Sequence, residues 1–181
     1  MIFLKDKKLL KFQIFAIIFS IVLGTLLHFT YEWSGQNCIV AIFSSVNEST
    51  WEHLKLAFYP MLIILIIGYF YMGKKYIFPQ TIGILTTIAF ITVFFYTYTG
   101  VIGKNIDILN ISTFIIGIII GEIVTYLVFK NIEKNSIDLL NKIAIAIILA
   151  LLFGFIIFTF NPPKINLFLD PVTNIYGINC L

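Results

Sequence analysis

Arginine is absent from this chain of 181 residues, and only 12% of its residues carry a charge. Soluble domains carry about a quarter, so water is not the main solvent of this protein. The twelve basic residues are all lysines, spread in small groups rather than in one basic tract, which argues against a nucleic-acid partner. Cysteine is scarce too. Cys38 and Cys180 form no CxxC pair and no zinc-ligand spacing, and whether they join in a disulfide stays open. Internal repeats, low-complexity tracts and linker-like stretches are missing as well, so a single domain over residues 1–181 is expected. Lys5, Lys7, Lys8 and Lys11 precede an apolar run as in a signal peptide, but the run is too long and no small-residue cleavage site follows. It reads as a retained helix.

What fills the chain instead is apolar: 60% of residues are hydrophobic and the mean hydropathy is +1.01. A hydrocarbon core about 30 Å thick needs roughly 20 apolar residues per helix, and five stretches approach that length, at 9–29, 54–71, 78–99, 111–129 and 139–160. The expected fold is therefore all-α, an integral membrane bundle of five transmembrane helices. Each stretch is apolar on all sides, so the pattern does not reveal which faces pack together.

The lysines alternate between connections. Lys5 to Lys11, then Lys74 and Lys75, then Lys130, Lys134 and Lys142 fall on one side, and only Lys55, Lys104 and Lys164 on the other. The positive-inside rule makes the first set cytoplasmic, giving a multi-pass protein of the cell membrane with its N-terminus inside. The polar loop 30–53 and the tail 161–181 are then outer. Pro162 and Pro163 end the last helix, and the apolar side chains Leu167, Phe168, Leu169 and Tyr176 predict that the tail folds back over the outer face. Trp33 and Trp51 would sit at that interface as aromatic anchors.

Polar chemistry gathers on the same side. His28 and Glu32 are four apart, as are Glu48 and Glu52, so each pair shares a helix face if the helix reaches that far. With His53 and Asn47 they make a carboxylate and imidazole cluster suited to a divalent metal, zinc or manganese, or to a polar lipid group. His28, Glu32 and His53 are the candidate ligands, and Glu52 and Glu48 the candidate acid–base residues. The competing reading is structural: Ser45 with Glu48 and Ser49 with Glu52 each match a capping box, and Lys55 can pair with Glu52. Pro60 breaks one backbone bond of the second span, freeing the carbonyl of Leu56, and a kink there can shape a cavity.

Three further acids stand out. Glu122 falls in the middle of the fourth span, where a carboxylate must be paired, hydrated or protonated, and Gly117 and Gly121 before it form a GxxxG pair for close helix approach. Asp107 lies in the polar outer loop with Gly103, Lys104 and Asn105, and Asp170 lies in the tail, which would carry it towards His28 and Glu52.

The stretch HFTYEWSGQNCIVAIFSSVNESTWEHLKLAFYP, with YTYTGVIGKN and the tail PPKINLFLDPVTNIYGI, resembles a family of small bacterial integral membrane proteins carrying a VNES-x-WEH-x-K motif. That family tends to have proline where this chain has Ser45. The resemblance implies a membrane location and brings no assigned activity.

Three classes of function follow. The first is an outward-facing site that binds a divalent metal or a polar lipid group, with metal-assisted hydrolysis or group transfer on a lipid-like substrate as its chemistry. The second is an ion-coupled transporter using Glu122; the absence of a repeat counts against it. The third is a non-catalytic assembly partner that forms a helix-mediated oligomer through the GxxxG pair.

Overall fold

The computed structural model describes residues 2–132 and 137–178. Glu133, Lys134 and Cys180 lie outside the described residues, and among the described ones no cysteine is a free thiol. The helices are α1 (Ile2–Trp33), α2 (Cys38–Ala41), α3 (Thr50–Met72), α4 (Ile77–Ile102), α5 (Asp107–Asn131) and α6 (Ile137–Phe160). A 3-10 turn, Lys74–Tyr76, joins α3 to α4, and another, Asn166–Phe168, lies in the tail. All but α2 are long and apolar enough to span a bilayer.

The long helices outrun the apolar stretches because a helix does not stop where the hydrocarbon stops. α1 continues through Tyr31, Glu32 and Trp33 until Gly35 and Gln36 adopt positive φ and return their amides to the carbonyls of Glu32 and Tyr31. α3 begins at Thr50, four residues before its apolar stretch, and the hydroxyl of Ser49 accepts the amide of Glu52 as its N-cap. At the other end of α4, Gly103 takes the left-handed conformation that terminates the helix. The expected loop 30–53 is thereby reduced to a short crossing that holds α2.

Burial follows the logic of lipid rather than water. Large apolar side chains such as Phe70, Val93 and Phe153 face outwards, whereas Gln13, Gln80, Thr81, Thr87, Glu122 and Thr125 are buried. With no water in the hydrocarbon to satisfy them, polar groups must find partners inside the bundle. An apolar centre of Leu54, Phe58, Met61, Ile84, Ile118 and Phe155 packs α3, α4, α5 and α6 together.

The most extensive helix contact is that of α4 with α5. A Cβ placed on Gly121 would lie 2.7 Å from the carbonyl oxygen of Gly83, and Thr87 Oγ1 donates across the contact to the Gly117 carbonyl at 3.1 Å. The GxxxG pair is thus used within the chain, against Gly83 and Thr87 of α4. Successive long helices run in opposite directions. At one end Lys8 reaches the Tyr71 carbonyl, and Lys74 pairs with Asp138 at 2.8 Å. At the other end α1 meets the start of α3, and this His28 end carries the candidate site.

The tail folds over the His28 end. Phe168 packs on Trp51 and Phe158, and the Ile178 amide donates to the Thr159 carbonyl at 3.2 Å. Trp51 is therefore part of the tail's seat, whereas Trp33 is exposed.

Candidate functional site

His28 lies on the last turns of α1 and His53 on the first turn of α3, and their rings are 5.2 Å apart. The segment 42–49 turns back between them. Ser44 fixes this turn by donating to the Leu27 carbonyl while accepting the Tyr31 amide, and Asn47 Oδ1 accepts the Ser49 amide at 3.0 Å. Glu48 is carried to the histidines as a result. One ligand atom from each of His28, Glu48 and His53 lies within 4.8 Å of the other two.

The hydrogen bonds of the two rings orient them, and that of His53 also places a proton. His53 Nδ1 lies 2.9 Å from the Ser49 carbonyl oxygen, which can only accept, so Nδ1 carries the proton. His28 Nδ1 lies 3.0 Å from Ser45 Oγ, a hydroxyl able to donate or accept, so this contact orients the ring and is compatible with either tautomer. With Nδ1 protonated, His53 Nε2 bears a lone pair in the neutral ring and a second proton in the imidazolium. His53 Nε2 then faces Glu48 Oε2 at 3.4 Å. A proton on the imidazolium, giving a charge-assisted hydrogen bond, or a metal ion can stand between them. Metal ligands at zinc distances of about 2.0–2.1 Å and a tetrahedral angle are about 3.4 Å apart, and imidazoles held through Nδ1 by an oxygen are the usual outer shell of such centres.

Glu48 lies outside the membrane-spanning helices, and its carboxyl is held below the ordinary carboxylate range. The hydrogen bond to His53 is the main cause, and partial burial opposes it. A carboxyl so lowered favours the folded state at any pH above its ordinary value, and that contribution disappears as the pH falls through the lowered one. Glu48 is therefore an anion at neutral pH.

The trio lines one wall of a cleft of about 660 Å³ between α1, α3, α4 and α5. Leu56, Ile91, Phe95 and Phe114 form its apolar walls, and Pro171 and Val172 of the tail reach its rim. Pro60 contributes here: the carbonyl of Leu56, which proline deprives of its amide partner, lies against Gly24 of α1, where only a glycine leaves room. Asp107, Asn105 and Asn110 line the cleft from the α4–α5 connection and the start of α5. Asn105 Oδ1 accepts from Tyr98 Oη at 2.9 Å and from Asn110 Nδ2 at 2.7 Å, so this wall is braced from α4 and α5 together.

The remaining candidates have other places. Glu52 is buried away from the cleft, where Lys55 Nζ lies 2.5 Å from Oε2, the Val46 amide donates to the same oxygen, and Thr159 Oγ1 is 3.3 Å from Oε1. Lys55 in turn donates to the Ala41 carbonyl and to Thr159. Both carboxylate oxygens are thus engaged in tying α2, α3 and α6 together. Ser49 caps α3 as one half of the capping box, while the Glu52 carboxylate turns to Val46 instead of to the Ser49 amide.

Glu32 is exposed and accepts from Gln36. Asp170 lies near the cleft rim, but its carboxylate closes its own turn by accepting from Val172 N and Thr173 Oγ1. Glu122 belongs to a separate buried cluster. Gln80 Nε2 donates to its Oε1 at 2.9 Å, Tyr76 Oη lies 2.8 Å from Gln80 Oε1 and 3.0 Å from Gln13 Oε1, and Glu122 Oε2 has no partner among the described residues.

Gln13, Tyr76 and Gln80 were not singled out in the sequence, although rare amides within apolar stretches are themselves a signal of an interior face. Ser44 and Ser45, which place the turn and orient His28, carried no signal beyond a possible cap.

Five apolar helices that direct their polar groups inwards make this a multi-pass integral membrane protein. The chain belongs to a family of unknown function, DUF6512, whose family model matches residues 1–178. No curated protein and no solved structure matches it.

Proposed function

We propose that the protein binds a divalent, zinc-class metal ion through His28, His53 and Glu48, and that this centre performs metal-assisted hydrolysis or group transfer on a lipid-like substrate at the outer face of the membrane. One observation carries the reading: ligand atoms of two imidazoles and one carboxylate converge within 4.8 Å of one another beside a cleft. Three protein ligands leave a fourth position open, as in catalytic rather than structural zinc sites. The cleft that the trio lines would give a substrate access to it. A metal there would polarise a carbonyl or phosphoryl oxygen and lower the pKa of water. The chain itself would orient the imidazoles through Ser45 and the Ser49 carbonyl and shield the reaction with the apolar cleft walls. The outward orientation rests on the lysine distribution.

Metal analysis of the purified protein tests the proposal. About one equivalent of zinc or manganese is expected in the wild type, with loss in His28→Ala and His53→Ala. A protein that stays metal-free after incubation with zinc, manganese and magnesium would refute it.

The unpartnered oxygen of Glu122 favours a second reading, an ion-coupled carrier. The Glu122 cluster shares no residue with the cleft, which puts this reading behind the first. Proton flux into liposomes that Glu122→Gln abolishes would reverse the order.

A further inference from the structure

Glu122 Oε2 on α5 and Ser20 Oγ on α1 are fully buried side-chain oxygens without a partner among the described residues. Neither residue belongs to the metal trio or lines its cleft. Their relative levels follow from the contacts on either side. α1 and α5 run antiparallel, Gln13 Nε2 lies 3.5 Å from the Glu122 carbonyl oxygen, and Gly24 packs against the ring of Phe114. Ser20, between Gln13 and Gly24, therefore stands near the level of Ile118, one turn of α5 to the cleft side of Glu122. The row continues to the candidate metal site: Gln13, Ser20, Gly24 and His28 are spaced seven, four and four residues apart, which sets them along one face of α1. Gly24 and Leu56 line the cleft, and Ser20 lies one turn, about 6 Å, beyond that floor. It is the polar side chain of this row between the cleft and the intramembrane acid.

The far side of Glu122 is closed. Tyr76 is fully buried, with its ring against Gly68, Phe12 and Phe129, and Leu9 packs in the same cluster. The groups around the acid are Gln13 from α1, Met61 from α3, Gln80 from α4 and Tyr76 from the 3-10 turn, of which only Tyr76 titrates. Glu122 makes no ion pair among the described residues, and a carboxyl isolated in this way takes up a proton rather than remain charged. Oε1 accepts from Gln80 Nε2, so that proton resides on Oε2, the oxygen without a partner. Water is the group that satisfies such orphaned atoms, accepting from the acid and meeting the Ser20 hydroxyl.

We infer that Glu122 is a proton-binding site loaded from the cleft at the His28 end, with Ser20 holding the water that relays the proton between them. On release the Oε2–H bond breaks, the proton passes to that water and on to the cleft, and the carboxylate keeps the hydrogen bond from Gln80. The inference rests on the carrier reading in taking Glu122 as the site of the ion, and it adds which ion and from which side. Proton exchange itself requires no transport, so the two can fail separately. Ser20 is here a positioning residue.

Infrared spectroscopy of the full-length protein in nanodiscs reads this proton directly. At neutral pH the wild type is expected to show the carbonyl stretch of a protonated carboxyl that Glu122→Gln removes, and transfer to heavy water should shift that band. Ser20→Ala should slow the shift about tenfold, as the loss of one hydrogen bond from the path predicts, and Ser20→Thr should keep it fast. Metal content and thermal unfolding of Ser20→Ala should match the wild type, which a merely structural role for the hydroxyl does not predict for the exchange rate. A spectrum in which Glu122→Gln removes no such band would overturn the inference together with the carrier reading. Exchange as fast in Ser20→Ala as in the wild type would overturn the route and leave the carrier reading standing. Exchange slowed by Ser20→Ala in a protein that moves no protons into liposomes would support the site and reject the carrier.

Discussion

At the scale of single residues, what separates Glu48 from Glu52 is the company each keeps. They sit four positions apart, and sequence spacing alone treats them as equivalent. The turn at 42–49 gives Glu48 to the histidines, whereas Glu52 is sealed with Lys55. Removing one partner of a buried ion pair leaves an uncompensated charge, at a cost of about 3–5 kcal/mol. Lys55→Met is therefore expected to lower the stability of the detergent-solubilised protein strongly, as read by thermal unfolding, and Glu52→Gln added to it should recover part of the loss. Equal stability of wild type and Lys55→Met would mean that the pair is not buried as described. The trio makes a different prediction with pH. Protons compete with metal for all its ligands, so a titration of metal content should show occupancy falling on acidification. Glu48→Gln, which removes the anionic ligand, should weaken binding at every pH.

At the scale of elements, the α4–α5 contact depends on glycine at one level. Gly121→Leu would drive a side chain into Gly83 and Thr87, where neighbouring backbone cannot yield, and overpacking of this kind costs about 1–3 kcal/mol. Loss of the folded peak in size-exclusion chromatography is expected, while Gly100→Leu, where the added side chain meets open space, should behave as wild type. The five long helices were legible in the sequence because only length and hydropathy define a span. Their ends were not, since Tyr31 to Trp33 and Thr50 to His53 are polar or interfacial, yet cap and continue helices. Nor were the packed faces legible, because Ile and Phe surround each helix. Gln13, Gln80, Thr87 and Thr125 held that information, and it becomes readable once buried polarity is taken as the mark of the inside.

At the scale of the whole molecule, the fold joins two ends of very different character. One end ties α1, α3 and α6 with Lys8, Lys74 and Asn141. The other gathers two histidines, Glu48 and an apolar cleft beneath a folded tail. The membership of the site was half legible: residue types named His28, His53 and Glu48, but the turn that selects Glu48 over Glu52 and Glu32 depends on Ser44 bridging α1 to the connection, a contact that no local pattern encodes. The claim on which the account turns is that both imidazoles and one carboxylate surround a single ion. X-ray absorption at the zinc edge of the protein loaded with one equivalent tests it most directly. The account predicts two imidazole nitrogens at about 2.0–2.1 Å and oxygen scatterers at about 2.0–2.2 Å, with the imidazole signal halved in His28→Ala. A spectrum without imidazole scattering, or one unchanged by both histidine substitutions, would contradict it.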